Sequence, residues 1–68
     1  RMAVEVFHTL KELLEKNNMT QEEVAVRLRV TKKTVSSWEN GKTLPTLDKI
    51  EAICELYGLS YDDIQWRN

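Results

Sequence analysis

Thr20 and Thr31 stand eleven positions apart, and each opens a run that reads as a helix start. A Thr hydroxyl at an N-cap accepts from a backbone amide of the first turn. Thr20-Gln-Glu-Glu23 adds the reciprocal half of a capping box: the Glu23 carboxylate can reach back to the Thr20 amide. The first helix of the pair must therefore end near Leu28 or Arg29, with about three residues, Arg29 to Thr31, before the next begins. Neither helix is long enough to stand alone, because helices shorter than about 12–15 residues are marginal in water. A tight turn between two short helices makes them cross, and packing must hold both.

The remaining punctuation extends this pattern in both directions. Val6, Phe7, Leu10, Leu13 and Leu14 recur at helical spacing, so a first helix is expected over about Ala3 to Asn17. The second helix turns Val24, Ala25 and Leu28 inward, and the third turns Val35 and Trp38 inward. Gly41, after Asn40, suits a left-handed helix end. A fourth helix starts with Thr46 as its cap and Asp48 at the positive end of its dipole, and Gly58 stops it. Its expected buried stripe is Leu47, Ile50, Ile53, Cys54 and Tyr57. Ser60 and Asp63 make a second capping box for a last short helix, with Ile64 and Tyr61 or Trp66 turned to the core. No β-alternation persists, so the chain is expected to be all-α, a five-helix single domain over 1–68 with its helix-turn-helix at about 20–40. Such a domain can also be the N-terminal part of a longer regulator.

Composition narrows the chemistry. One cysteine and one histidine permit neither an internal disulfide nor a Cys/His metal cluster. No apolar run approaches the roughly 20 residues that span a bilayer, and charges spread through the first 17 residues exclude a signal-peptide pattern. There is no nucleophile–base pair and no phosphate-cradling glycine loop, so no enzyme and no cofactor are expected. Cys54 and Trp38 read as core residues, His8 as a structural or surface residue, and Asp62 and Asp63 as acids suited to a helix dipole.

The net charge of −1 is unevenly spread. Residues 20–46 carry five positive and three negative charges, whereas residues 47–68 carry two positive and five negative. A local basic patch on an acidic body is a plausible electrostatic footprint for a polyanion. With Val35 and Trp38 inside, the outer face of the third helix is Lys32, Lys33, Ser36, Ser37 and Asn40. None is bulky and none is acidic, so this face can enter a major groove about 12 Å wide and offer donors to base edges. Lysines in a first turn oppose the helix dipole by a few tenths of a kcal/mol, and an approaching polyanion would reverse that penalty. The amides following Thr20 and Thr31 suit phosphate, Gln21 adds a side-chain donor, and the amides of Gly41, Lys42 and Thr43 could grip the backbone further along.

Taken together, Thr20-Gln-Glu-Glu-Val-Ala, Val30-Thr-Lys-Lys-Thr-Val-Ser-Ser-Trp-Glu-Asn-Gly-Lys, Pro45-Thr-Leu and Tyr57-Gly-Leu-Ser-Tyr-Asp-Asp resemble the Cro and phage-repressor helix-turn-helix family, often called the XRE family. The resemblance covers roughly residues 7–65. It implies a five-helix fold, sequence-specific binding to operator DNA as a homodimer on a palindromic site, and a cytoplasmic, nucleoid-associated protein of bacterial or phage origin. By position, it implies base reading by Lys32, Lys33 and Ser37, with Ser36 beside them. It implies phosphate contacts by Gln21, Thr31, Asn40 and Lys42, and by Thr43. Two positions depart from the pattern. Arg29 stands where the family usually has a turn glycine, which costs about 1 kcal/mol if the turn needs positive φ. Leu14 stands where the family often has an arginine paired with the Glu of Trp-Glu-Asn, so Glu39 must find another partner or stay hydrated.

Met2, Val4, Tyr61 and Trp66 exceed what so small a core easily buries, which suits either an interface, in a homodimer or against a following domain, or partial burial against the same core. Two functions stay open at this point. One is a transcriptional regulator, taken as a repressor. The other is a protein-interaction or antitoxin-like module that keeps the fold without operator binding, motivated by the overall acidity, Arg29 and the exposed aromatics.

Overall fold

A computed structural model describes residues 8–66. The order is β1 (His8–Thr9), α1 (Leu10–Lys16), α2 (Gln21–Leu28), α3 (Lys32–Glu39), α4 (Leu47–Tyr57), a 3₁₀ turn (Tyr61–Asp63) and β2 (Ile64–Gln65). The all-α helix-turn-helix architecture is as expected, with differences at the two ends.

The first helix starts at Leu10, later than expected. Thr9 is its N-cap, and Thr9 and Glu12 form a capping box with bonds of 3.2 and 3.0 Å. His8 and Thr9 are extended and pair in parallel with Ile64 and Gln65. The signal for this start, Thr-x-x-Glu, was the same as at Thr20, but the apolar spacing running through Val6 and Phe7 masked it. Val6, Phe7, Met2 and Val4 lie outside the described residues.

At the other end, the expected fifth helix is a single 3₁₀ turn. The Ser60–Asp63 box does form, with the Ser60 amide and hydroxyl both donating to Asp63 Oδ2 at 3.0 Å. The chain then goes extended at Ile64, which is buried in the core and whose strand is zipped to β1. Pairing with a strand 56 residues earlier overrides the local cap.

The core is continuous across the elements. Leu10, Leu13 and Leu14 of α1, Val24, Ala25 and Leu28 of α2, Val35 and Trp38 of α3, Ile53 of α4 and Ile64 form one buried cluster. Val24, Val35 and Ile53 are fully buried. Each such side chain contributes about 1.5–3 kcal/mol over the exposed state, which is how helices of 7 and 8 residues survive. The expected α4 stripe is narrower than the spacing suggested. Only Ile53 of the five is fully buried; Ile50, Cys54 and Tyr57 are half-buried, and Leu47 is 69% exposed. At 100° per residue, Leu47 sits about 120° around the helix from Ile53, too far to share its face.

One device ends all four helices. An αL residue follows each, and the next amide reaches back five residues: Met19 N to Leu14 O, Val30 N to Ala25 O, Lys42 N to Ser37 O and Leu59 N to Cys54 O, at 2.9–3.0 Å. This is the Schellman arrangement, normally clasped by an apolar contact between the two residues it joins. Met19, Val30 and Leu59 do pack against the core. At the end of α3 the corresponding pair is Ser37 and exposed Lys42. The αL residues are Asn18, Arg29, Gly41 and Gly58, so Arg29, at φ 60°, occupies a left-handed position as the turn required.

Candidate nucleic-acid interface

Residue by residue, α3 is built to present one polar face. Thr31 caps it through its hydroxyl, which accepts from the Thr34 amide at 3.1 Å and pairs with the Thr34 hydroxyl at 3.0 Å. Val35, fully buried, and Trp38 anchor the inner side. Lys32 and Lys33 are exposed, and neither ammonium has a hydrogen-bond or ion-pair partner among the described residues. The amides of Lys32 and Lys33 likewise keep no intramolecular acceptor. Free N–H groups, the helix dipole and two cations thus converge at the start of α3.

Further along the face, Ser36 and Ser37 are half-buried and Asn40 is exposed. Asn40 Nδ2 donates to Ser36 Oγ at a long 3.4 Å. A hydroxyl this shallow can act only on a surface that approaches closely, and the small side chains leave that approach open. Thr43 and the Lys42 side chain are also exposed.

Two expectations change with the coordinates. The amides of Gly41 and Lys42 are not free donors, because they bond to Trp38 O at 3.2 Å and Ser37 O at 2.9 Å in closing the helix. What Lys42 retains for an anion is its ammonium. Gln21 is half-buried and already engaged: its Nε2 donates to Glu39 Oε1 at 2.8 Å. This bond is also the answer to the missing arginine partner of Glu39, since Leu14 is buried in the core. The two residues are 18 positions apart, and only folding brings them together.

Sequence reasoning missed Lys49. Its Nζ donates to Leu28 O at 2.7 Å, so α4 supplies a cation to the C-terminal end of α2 and ties α4 to the helix-turn-helix. No local signal marks this role, because the partner lies 21 residues away.

The other titratable groups read as structural. Burial, and then the Asp63 and Glu51 charges, push the Cys54 thiol upward, which disfavours the reactive thiolate. Burial, and then the Glu39 charge, raise the Tyr57 phenol, while Arg27 opposes; its hydroxyl contacts Met19 Sδ at 3.7 Å. Tyr61, 55% exposed, stacks on Trp66 with centroids 5.9 Å apart, and Trp66 Nε1 donates to Tyr61 O at 3.2 Å. Among the described residues no cluster could hold a metal ion, and no helix is long and apolar enough to cross a membrane.

Comparison with known proteins bears on residues 10–64, which match the helix-turn-helix family model. The HTH-type transcriptional activator BcrR of Enterococcus faecalis is 31% identical over 55 residues, covering 81% of this chain and 27% of that protein. The 26 kDa repressor protein of Escherichia phage HK022 is 45% identical over 38 residues, covering 56% of this chain and 16% of that protein. An uncharacterized HTH-type transcriptional regulator of Archaeoglobus fulgidus is 38% identical over 55 residues, covering 81% of this chain and 78% of that protein. The chain thus spans about a quarter or less of the first two relatives and most of the third. No solved structure matches it. The match across all the described helices, with the fold and capping found here, makes the chain a member of the XRE-type helix-turn-helix family.

Proposed function

We propose that this chain binds double-stranded DNA sequence-specifically and regulates transcription, placing α3 in the major groove. The observation that carries this reading is the exposed, unpartnered lysine pair in the first turn of α3. A helix gains nothing from two cations at its positive end unless an anion approaches. In this reading Lys32, Lys33, Ser36 and Ser37 meet base edges. Gln21, Thr31, Asn40, Lys42 and Thr43 meet phosphates and set the register. Two copies on a palindrome would place their α3 helices about 34 Å apart, one turn of DNA. The protein would act in the cytoplasm, on the nucleoid. We take its direction as repression, which the phage HK022 relative supports by name; the Enterococcus relative is named an activator. No enzymatic step belongs to this function.

Selection of bound duplexes from a random pool tests the reading. The expected result is one enriched, palindromic site, bound with an affinity that falls steeply with salt as counterions are released. Failure to retard any duplex at low salt would remove it.

A second reading, a protein-interaction or antitoxin-like module without operator binding, has one observation in its favour. Leu47 and Tyr61 are 69% and 55% exposed, and with Ile50 and Cys54 they line a surface groove that also holds Glu51 and Glu55. Its mark would be a stable protein complex formed through that groove by a chain that binds no DNA.

A further inference from the structure

The Gln21–Glu39 hydrogen bond joins the first residue of α2 to the last residue of α3. Both side chains are half-buried, and no other hydrogen bond engages the Gln21 amide among the described residues. A side-chain amide nitrogen carries two protons. Glu39 takes one of them, which fixes the plane of the amide and therefore the direction of the second. At the α1 position where the family often has an arginine partner for Glu39, this chain has buried Leu14.

We propose that Glu39 is a positioning residue for DNA binding: by accepting one proton of the Gln21 amide, it aims the other at a phosphate. The proposal rests on the reading of Gln21 as a phosphate contact and adds the reason the amide is ready for it. A free glutamine side chain must be ordered when DNA binds, whereas a bridged one is ordered already. The benefit is not obvious from charge. A carboxylate close to a phosphate repels it, so a purely electrostatic view makes Glu39 a defect. Preorganisation and repulsion have opposite signs here, and that makes them separable.

Glu39→Gln removes the charge and keeps a carbonyl that can accept from Gln21. Glu39→Ala removes both. Binding of each to the selected duplex is measured by fluorescence anisotropy, in the parent and in the Gln21→Ala background. Circular dichroism melts establish that all variants fold. With Gln21 present, Glu39→Gln is expected to bind at least as tightly as the parent. Glu39→Ala is expected to bind about five- to tenfold more weakly than Glu39→Gln. In the Gln21→Ala background that gap should close. A gap of the same size in both backgrounds, or no gap in either, overturns the positioning role. In the DNA-free protein, the Gln21 side-chain amide protons should be well separated in a ¹H–¹⁵N spectrum and should converge in Glu39→Ala; unchanged resonances also overturn it. If the parent binds no duplex at all, the DNA-binding reading fails and takes this role with it. If the parent binds and the gap is missing, only the positioning role fails.

Discussion

Helices α2 and α3 are the same length, 8 residues, and each starts at a Thr whose hydroxyl accepts from the third amide. Their first turns are otherwise opposites. In α2, Glu22 and Glu23 complement the dipole, and Glu23 closes the capping box with a 2.8 Å bond to the Thr20 amide. In α3, Lys32 and Lys33 oppose the dipole, and Thr34 stands where a glutamate would close the box. The ends differ in the reverse sense. α2 closes on Arg29 in the αL region, with an apolar clasp from Val30; α3 closes on Gly41, with polar Ser37 and Lys42 in the clasp. One helix is finished by its own sequence at the start. The other leaves both ends polar and its first turn uncompensated. The difference teaches that α3 is held by what lies beneath it, Val35 and Trp38, and that its outer surface is free to serve a ligand.

The comparison can be broken most forcefully at the lysines. The double change Lys32→Glu and Lys33→Glu should lower DNA affinity at least about a hundredfold, by putting acids where the proposed reading has cations meeting base edges within a polyanion's groove. The melting temperature should hold or rise, since acids suit that turn. A large fall in melting temperature would mean the lysines are structural. Next, Thr34→Glu should give α3 the box that α2 has. It should add about 0.5 kcal/mol of stability while weakening DNA binding about tenfold. Tighter DNA binding would contradict the assigned face.

At the far ends, Arg29→Gly should make the close of α2 like that of α3. Relief of the αL conformation is expected to add about 0.5–1 kcal/mol, a rise of several degrees in melting temperature. A loss would show that the Arg29 side chain contributes more than its backbone costs. The smallest effect belongs to acid. Hydrogen bonds from Ser60 hold Asp63 below the ordinary carboxylate range, and one from Thr46 does the same for Asp48. Depressed folded values give stability that is present above the unfolded pKa and lost as pH falls through the folded one. Melting temperature should therefore fall below about pH 4. Asp63→Asn should make that fall shallower; an unchanged slope would remove this capping carboxylate from the acid response.

Much of this was readable one turn at a time. A cap is decided within three residues, so Thr20, Thr31 and Ser60 marked real starts, and Gly41 and Gly58 real stops. Val35 and Trp38 could be placed inside because the helix period leaves them no other shared face. The exposed lysines followed from the same period. Period failed where it was stretched too far: Leu47 points outward because it sits about 120° around α4 from buried Ile53, and the run through Val6 and Phe7 hid the Thr9–Glu12 start of α1. Gln21 was recognised as a donor, but its partner was not, because nothing near it in sequence names Glu39.

By itself, then, the sequence determined where α2, α3 and α4 begin, where Gly41 and Gly58 end helices and which residues α3 turns outward, because caps and periodicity act over a single turn. The tertiary structure alone decided the pairing of His8 with Ile64, the Lys49 bond to Leu28 O and the Gln21 bond to Glu39. Each of these joins groups 18 or more positions apart, and whether such groups meet depends on how the whole core packs, a property no local window contains.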